Sequence, residues 1–262
     1  MLIERCDDTY NIELEKYFTP HNQARAEFTN IASHEMKTSI QAILTYSELL
    51  QNKHDEFRES YVKAILRNAL RLKMLSNNLG DLTKIDENIL KLKKELLDLN
   101  LLILSIAQDF ENMSRYHDNK QEMKVLVISP KHMFVEADKE KLEQVIFNLL
   151  DNAVKFTDKG TILIKLEDNL NENWTEITVT DTGLGIEDAI MPNLFNKFVT
   201  SSHNGTGLGL YICKNIIEAH DGKIWARNNA NKNGASITCR IPTNHRLVNR
   251  NYTKFLNSET VS

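Results

Sequence analysis

Asn148-Leu-Leu-Asp-Asn152-Ala-Val-Lys155-Phe156 is the stretch whose reading decides the fold. Asn148 and Asn152 are four residues apart, so in a helix both side chains stand on one face. Lys155 follows three residues later and lies close to that face. Val145, Leu149, Ala153 and Phe156 form an apolar stripe on the other side. Two amide oxygens and an ammonium together suit a magnesium ion carrying phosphates, because magnesium keeps several waters and needs only one or two protein oxygens. A plain solvated face would give the same pattern, so the neighbouring segments have to decide between the two.

Downstream, Asp181-Thr-Gly183-Leu-Gly185-Ile186 follows a strand-like run directly. A carboxylate at a strand end can accept a hydrogen bond from an exocyclic amine, and glycines beside it permit close backbone approach. Gly205-Thr206-Gly207-Leu208-Gly209-Leu210 then opens a helical pattern. Glycine-rich backbone at a helix N-terminus offers free N–H groups to phosphate oxygens. The dinucleotide fingerprint does not fit, since the third glycine comes too early and no strand precedes the run. The pattern GxxxxGK[ST] of a P-loop is absent.

The order of these pieces is specific: an NxxxN helix, then DxGxG, then GxGxGL. It resembles the ATP-binding fold shared by histidine kinases, DNA gyrase B and the mismatch-repair ATPases, over roughly residues 95–243. The resemblance implies ATP and Mg2+ as cofactors, with Asn152 as the metal ligand and Asn148, Lys155 and Phe156 beside it. It implies that Asp181 meets the adenine amine, that Gly183, Gly185 and Ile186 lie by the base, and that residues 205–209 lie by the phosphates. Met191-Pro-Asn-Leu-Phe195-Asn-Lys-Phe198 looks like the F box of histidine kinases, with residues 187–204 as a lid. The gyrase branch resembles this pattern but has a glutamate where Asn148 stands. An amide cannot deprotonate an attacking water, which argues against an ATP-driven clamp. Ser236, in Asn233-Gly234-Ala235-Ser236, is a further candidate contact to the nucleotide.

Upstream the texture is helical. Phe28, Ile31, Ala32, Met36, Ile40, Ile43, Leu44, Ser47 and Leu50 recur at steps of three and four, which predicts a helix over 23–50. Ile65, Leu72, Leu75, Leu79 and Leu82 predict a second helix over 57–82, with Tyr61 and Asn68 on the same stripe. The polar segment 51–56 turns between them. Such a hairpin has one apolar layer, and pairing into a dimeric four-helix bundle is its natural completion. On the first helix stands Ser33-His34-Glu35-Met-Lys37-Thr38-Ser39-Ile40. It resembles the H box of sensor histidine kinases, with Ser39 where that family usually has proline. The resemblance implies His34 as phosphoacceptor, Glu35 assisting its imidazole, Lys37 meeting phosphate and Thr38 one turn away. Without proline, the helix beside His34 is expected to be straighter.

The expected fold is therefore a helical hairpin, residues 21–90, followed by an α/β sandwich with a mixed sheet, residues 91–245. A lead-in, residues 1–20, and a polar tail, residues 246–262, flank them. Strands are expected at 124–129, 161–167, 175–180, 223–228 and 236–241, and helices at 101–115, 138–156 and 208–219. The expected activity is ATP-dependent phosphorylation of His34 and transfer to an aspartate of a response regulator receiver domain, with regulator phosphatase activity as a companion. A dimerising scaffold that never labels is the alternative, and Ser39 is its main support. The partners expected are a second copy through residues 21–90 and the regulator; about twenty residues before the first helix are too few for a sensor, so the signal is expected either from a separate sensor protein or from a longer chain of which this is a part.

Bulk properties agree. The chain has 262 residues, 26% charged and 41% hydrophobic, with a formal net charge of -4. That charge gives no general attraction to nucleic acid. Cys6, Cys213 and Cys239 are widely spaced and form no CxxC, which fits a reducing, cytoplasmic setting. No apolar run is long enough for a membrane span.

Overall fold

The computed structural model describes residues 20–51, 57–114, 123–169, 172–200, 205–230 and 233–243. Most of the lead-in, nearly all of the 51–56 turn and the polar tail fall outside the described residues. The chain divides into two compact units, residues 1–75 with 196–208, and residues 76–195 with 209–262.

In the first unit, helix α1 spans Pro20–Gln51 and helix α2 begins at Arg58 and runs on to Asp86. Pro20 opens α1, where its missing N–H would be unpaired in any case. The helix continues without a break past Ser39, as expected for a residue that keeps its backbone donor. Ala32, Glu35, Ser39 and Ala64 are buried. Arg71 of α2 forms an ion pair with Glu35 of α1, and the rings of Tyr46 and Tyr61 lie 5.8 Å apart. The apolar stripe of α1 needs one correction: Ile40 is 48% and Leu44 59% exposed. On α2, Val62 and Leu66, outside the expected stripe, are exposed as well. Two helices share one seam, so apolar side chains away from it have nothing to pack against within a single hairpin.

The second unit takes the end of α2 and all of the mixed α/β region. Strand β1 (Glu95–Asp98) leads into helix α3 (Leu99–Ser114), followed by β2 (Met123–Ile128) and β3 (Phe134–Ala137). Helix α4 (Lys139–Phe156), β4 (Gly160–Asn169) and β5 (Trp174–Thr180) come next. A 3-10 turn at Met191–Asn193, helix α5 (Gly209–Ala219), β6 (Lys223–Asn228) and β7 (Ala235–Pro242) complete it. The main sheet has the order β2-β4-β5-β7-β6. Only the β2–β4 pair is parallel, so the sheet is mixed, as expected. Period-two alternation sends Ile162, Ile164 and Leu166 of β4, and Ile177 and Val179 of β5, into the core. Leu142, Val145, Ile146 and Leu150 of α4 and Ile212 and Ile216 of α5 close over them, all at 0% exposure.

Strands β1 and β3 pair antiparallel in a separate two-stranded sheet that the sequence pattern does not announce. Each is four residues long and carries a charge, and so short a run shows no period of its own. The end of α2 is tied to α4 by polar contacts: Lys141 Nζ lies 2.5 Å from Asp81, and Gln144 donates to Asn78 at 3.0 Å. Among the described residues, no helix is long and apolar enough to cross a membrane.

Candidate nucleotide site and phosphoacceptor helix

Helix α4 starts on Asp138, whose carboxylate caps the N–H of Lys141 at 3.1 Å. That cap fixes the register that turns Asn148 inward. Asn148 is only 6% exposed, so the solvated-face reading fails at this position. Its Oδ1 lies 3.5 Å from where a Cβ on Gly209 would stand. Its amide nitrogen is buried without a hydrogen-bond partner among the described residues. An unpaired buried donor costs about 1–3 kcal/mol, and a phosphate oxygen would remove that cost. Asn152 is half-buried and Lys155 exposed, one turn further along. The Lys155 ammonium stands 6.0 Å from the Phe156 ring centroid. Burial pushes the Cys213 thiol, which donates to the Val145 carbonyl at 3.8 Å, up to about 12.

Asp181 ends β5. Its Oδ1 accepts the N–H groups of Gly183 at 2.9 Å and Ala235 at 3.3 Å. No described group bonds Oδ2, which leaves that oxygen for a ligand donor. Burial pushes this carboxyl above the ordinary range, against those backbone bonds. Gly183 is required by contact: a Cβ there would stand 2.1 Å from the Phe156 carbonyl oxygen. Gly185 has φ of 78°, a conformation that side chains rarely adopt. The Asp181 carboxylate and the Asn148 amide are thus of the types that would take an amine donor and a phosphate oxygen. Among the described residues there is no cluster of three or more His, Cys, Asp or Glu. The Asn152 amide oxygen, half-buried on the same helix, is of the kind that magnesium accepts beside water and phosphate oxygens.

Residues 205–208 belong to the first unit, and Gly209 opens α5 in the second. The Phe198 N–H donates to Gly207 O at 2.9 Å, and a Cβ on Gly207 would meet Phe198 backbone at 2.4 Å. The Thr206 hydroxyl accepts from Leu208 N–H at 3.4 Å, and Leu208 is 1% exposed. Ser236 is a correction. It is 4% exposed and bonded to Thr180 at 2.9 Å and Asn229 at 2.8 Å, so it supports the pocket from behind. Asn228 and Asn229, unnoticed in the sequence, grip this pocket; an Asn-Asn pair ending a strand was the available signal.

On α1, His34, Lys37 and Thr38 are exposed while Glu35 is buried. The Thr38 hydroxyl donates to His34's own carbonyl at 2.9 Å. The Glu35 carboxylate goes to Arg71, and no described bond joins it to His34. Ser39 is 1% exposed and its hydroxyl is unpaired among the described residues.

Residues 24–88 match the family described as the His Kinase A (phospho-acceptor) domain. Residues 137–245 match the family of histidine kinase-, DNA gyrase B- and HSP90-like ATPases. A solved structure of the catalytic domain of the histidine kinase ThkA is 32% identical, with a TM-score of 0.52, covering 58% of this chain and 97% of that one. The chain belongs to the histidine kinase family. ThkA solved in complex with the response regulator protein TrrA is 27% identical over 90% of this chain and 67% of that one, with a TM-score of 0.55. The sensor protein KdpD of Clostridium acetobutylicum is 33% identical over 92% of this chain. The sensor protein kinase WalK of Staphylococcus haemolyticus is 31% identical over 83%. The chain spans only 27% and 36% of the lengths of these two curated relatives. Membership in the histidine kinase family accounts for the helical hairpin, the mixed sheet and their order along the chain.

Proposed function

We propose that this chain phosphorylates its own His34 with Mg-ATP and passes the phosphoryl group to an aspartate of a response regulator. The observation that carries the reading is the exposed imidazole of His34, on the helix that matches the phosphoacceptor family. Asn148 supports it, because an amide at that place favours a protein acceptor over water. Domains 21–90 and 91–245 divide the work.

In the reaction, an imidazole nitrogen of His34 forms a bond to the γ-phosphorus. The bond to the bridging oxygen breaks, ADP leaves, and the imidazole N–H proton goes to a base. Glu35 is the adjacent carboxylate, and it serves once it exchanges Arg71 for the imidazole. Asp181 orients the adenine through its amine, Asn148 donates to phosphate, and Lys155 and Lys37 supply positive charge. Bound magnesium, held by Asn152, would neutralise developing phosphate charge, the dominant need in such transfers. A regulator aspartate then takes the phosphoryl group as the P–N bond breaks; Thr38 would assist the reverse duty of regulator dephosphorylation. That ThkA was solved in complex with the response regulator protein TrrA supports a response regulator as partner. Dimerisation through residues 21–90 would cover Ile40 and Leu44. The free, buried thiols of Cys213 and Cys239 support a reducing cytoplasmic setting, with the signal coming from a sensor region or protein.

Incubation with γ-labelled ATP tests the reading. The expected product carries acid-labile, alkali-stable label that is lost in His34→Gln, while ATP affinity stays within about twofold. Label that persists in His34→Gln rejects it. ATP binding without any label returns the scaffold alternative.

A further inference from the structure

We infer that Asn228 and Asn229 are positioning residues that hold the adenine end of the nucleotide site, and that Asn229 sets the preference for a base bearing an exocyclic amine. The inference rests on the reading that Asp181 receives adenine.

Asn228 is the last residue of β6, an edge strand of the sheet. Its side chain accepts the Ile186 N–H at 2.7 Å and donates to the Ile186 carbonyl at 2.7 Å. One amide thus does for the 181–186 loop what a neighbouring strand does for a ladder. Gly185 makes room for it: a Cβ there would lie 3.0 Å from the Asn228 oxygen.

Asn229 works on the other side of the loop. Its Nδ2 donates to the Asp181 carbonyl at 2.9 Å and the Asn233 carbonyl at 2.8 Å. Its Oδ1 accepts the Ser236 hydroxyl at 2.8 Å, and its own N–H donates to Gly234 O at 3.1 Å. These bonds tie Asn229 to Asn233 and Gly234, and Gly234 packs backbone to backbone on Asp181. A Cβ on Gly234 would stand 2.0 Å from the Asp181 carbonyl oxygen. Next to it, Ala235 donates its N–H to Asp181 Oδ1 and its carbonyl accepts the Asp181 N–H at 2.9 Å. Held twice at Oδ1 and once at its carbonyl, Asp181 presents Oδ2 in one direction. Both amides spend their donors and acceptors on protein atoms, which makes them positioning groups rather than nucleotide ligands. Each needs donor and acceptor together, which an amide supplies and a carboxylate does not.

The test compares ATP with purine riboside triphosphate, which lacks only the adenine amine, in equilibrium binding to the full chain. The wild type is expected to prefer ATP about tenfold or more, the scale of one hydrogen bond to a charged group. Asn229→Ala is expected to lose that preference, binding ATP about tenfold more weakly and the amine-free analogue within about twofold of wild type. Asn228→Ala is expected to reduce the preference about threefold. Should Asn229→Ala fail to fold, Asn229→Asp keeps the acceptor for Ser236, loses both donors and carries the same expectation. A variant that loses both ligands equally, or keeps the full preference for ATP, overturns the inference. A wild type that binds both ligands equally rejects the Asp181 reading itself, and the inference with it.

Discussion

Helix α4, 18 residues long, buries Leu142, Val145, Ile146 and Leu150 completely. Helix α1, 32 residues long, buries only Ala32, Glu35 and Ser39 among its described side chains. The nucleotide region is a finished core: its candidate ligand groups, Asn148 and Asp181, sit among neighbours that are themselves buried or hydrogen-bonded. The hairpin is an unfinished surface, with apolar side chains outside and the His34 imidazole exposed. A phosphoacceptor has to be reached by two large partners in turn, a nucleotide domain and a regulator, and burial would exclude both. A nucleotide pocket serves one small ligand and gains from being built in advance.

The largest effect expected from this difference is on assembly. Burying one Leu or Ile side chain contributes about 1.5–3 kcal/mol. Replacing Ile40 and Leu44 by Asp removes four such contributions from a dimer. The dissociation constant of the dimer, followed by sedimentation, is expected to rise at least about a thousandfold. ATP affinity should stay within about twofold, because the nucleotide core does not depend on those side chains. A double variant that remains dimeric would remove the exposed stripe as the interface.

The converse substitution strikes the finished core. In Gly183→Ala, the new Cβ would meet the Phe156 carbonyl oxygen at 2.1 Å and its carbon at 2.8 Å, both backbone atoms that cannot rotate away. Overpacking of this kind costs roughly 1–3 kcal/mol. The melting temperature is expected to fall by about 2–4 °C for each kcal/mol, with ATP affinity falling alongside and dimerisation unchanged. Gly80, in α2, is the opposite case: a Cβ there would have nothing within 4 Å. Gly80→Ala is therefore expected to stabilise by about 0.5–1 kcal/mol through helix propensity. Equal losses from the two alanines would mean that close packing at 183 is not what the glycine provides.

The same contrast explains what was legible. The boxes around Asn148, Asp181 and Gly207, and the order hairpin then sheet, could be read because each is local and each residue type has a physical reason to be there. Strands β4 and β7 run one or two residues beyond the patterned stretch at each end, where pairing with β2, β5 and β6 continues past the apolar alternation. Strands β1 and β3 could not be read, because each exists only through its partner nearly forty residues away. Ser236 was misjudged for the opposite reason: its type suits a ligand, and only its bonds to Thr180 and Asn229 show that it faces protein. Glu35 is similar, since nothing local announces that Arg71, across the hairpin, holds its carboxylate. Long-range polar pairing is the part of a site that spacing does not encode.

The smallest expected effect follows pH, and it too belongs to the finished core. His220, at the end of α5, is 2% exposed. Its Nε2 accepts the Asp138 N–H at 3.0 Å, and its Nδ1 donates to the Ile216 carbonyl at 2.8 Å. Asp138 is also the cap of α4, so this imidazole joins the two helices that carry Gly209 and Asn148. Burial holds its pKa below the ordinary histidine value, with the bond to Ile216, Lys94, Asp138 and Asp221 as further influences. A proton on Nε2 would face an N–H and break that bond. In the unfolded chain His220 takes up its proton more readily, so between the two pKa values the unfolded state binds more protons. The stabilisation is full above about pH 6.5 and is lost as pH falls from there toward the folded-state value. The melting temperature of the wild type is expected to drop between about pH 7.5 and about pH 5.5, a window that brackets the unfolded-state value. His220→Gln, which has no proton to gain, should start lower and fall less steeply over that window. Parallel slopes for the two proteins would show that the coupling between α4 and α5 does not titrate through this residue.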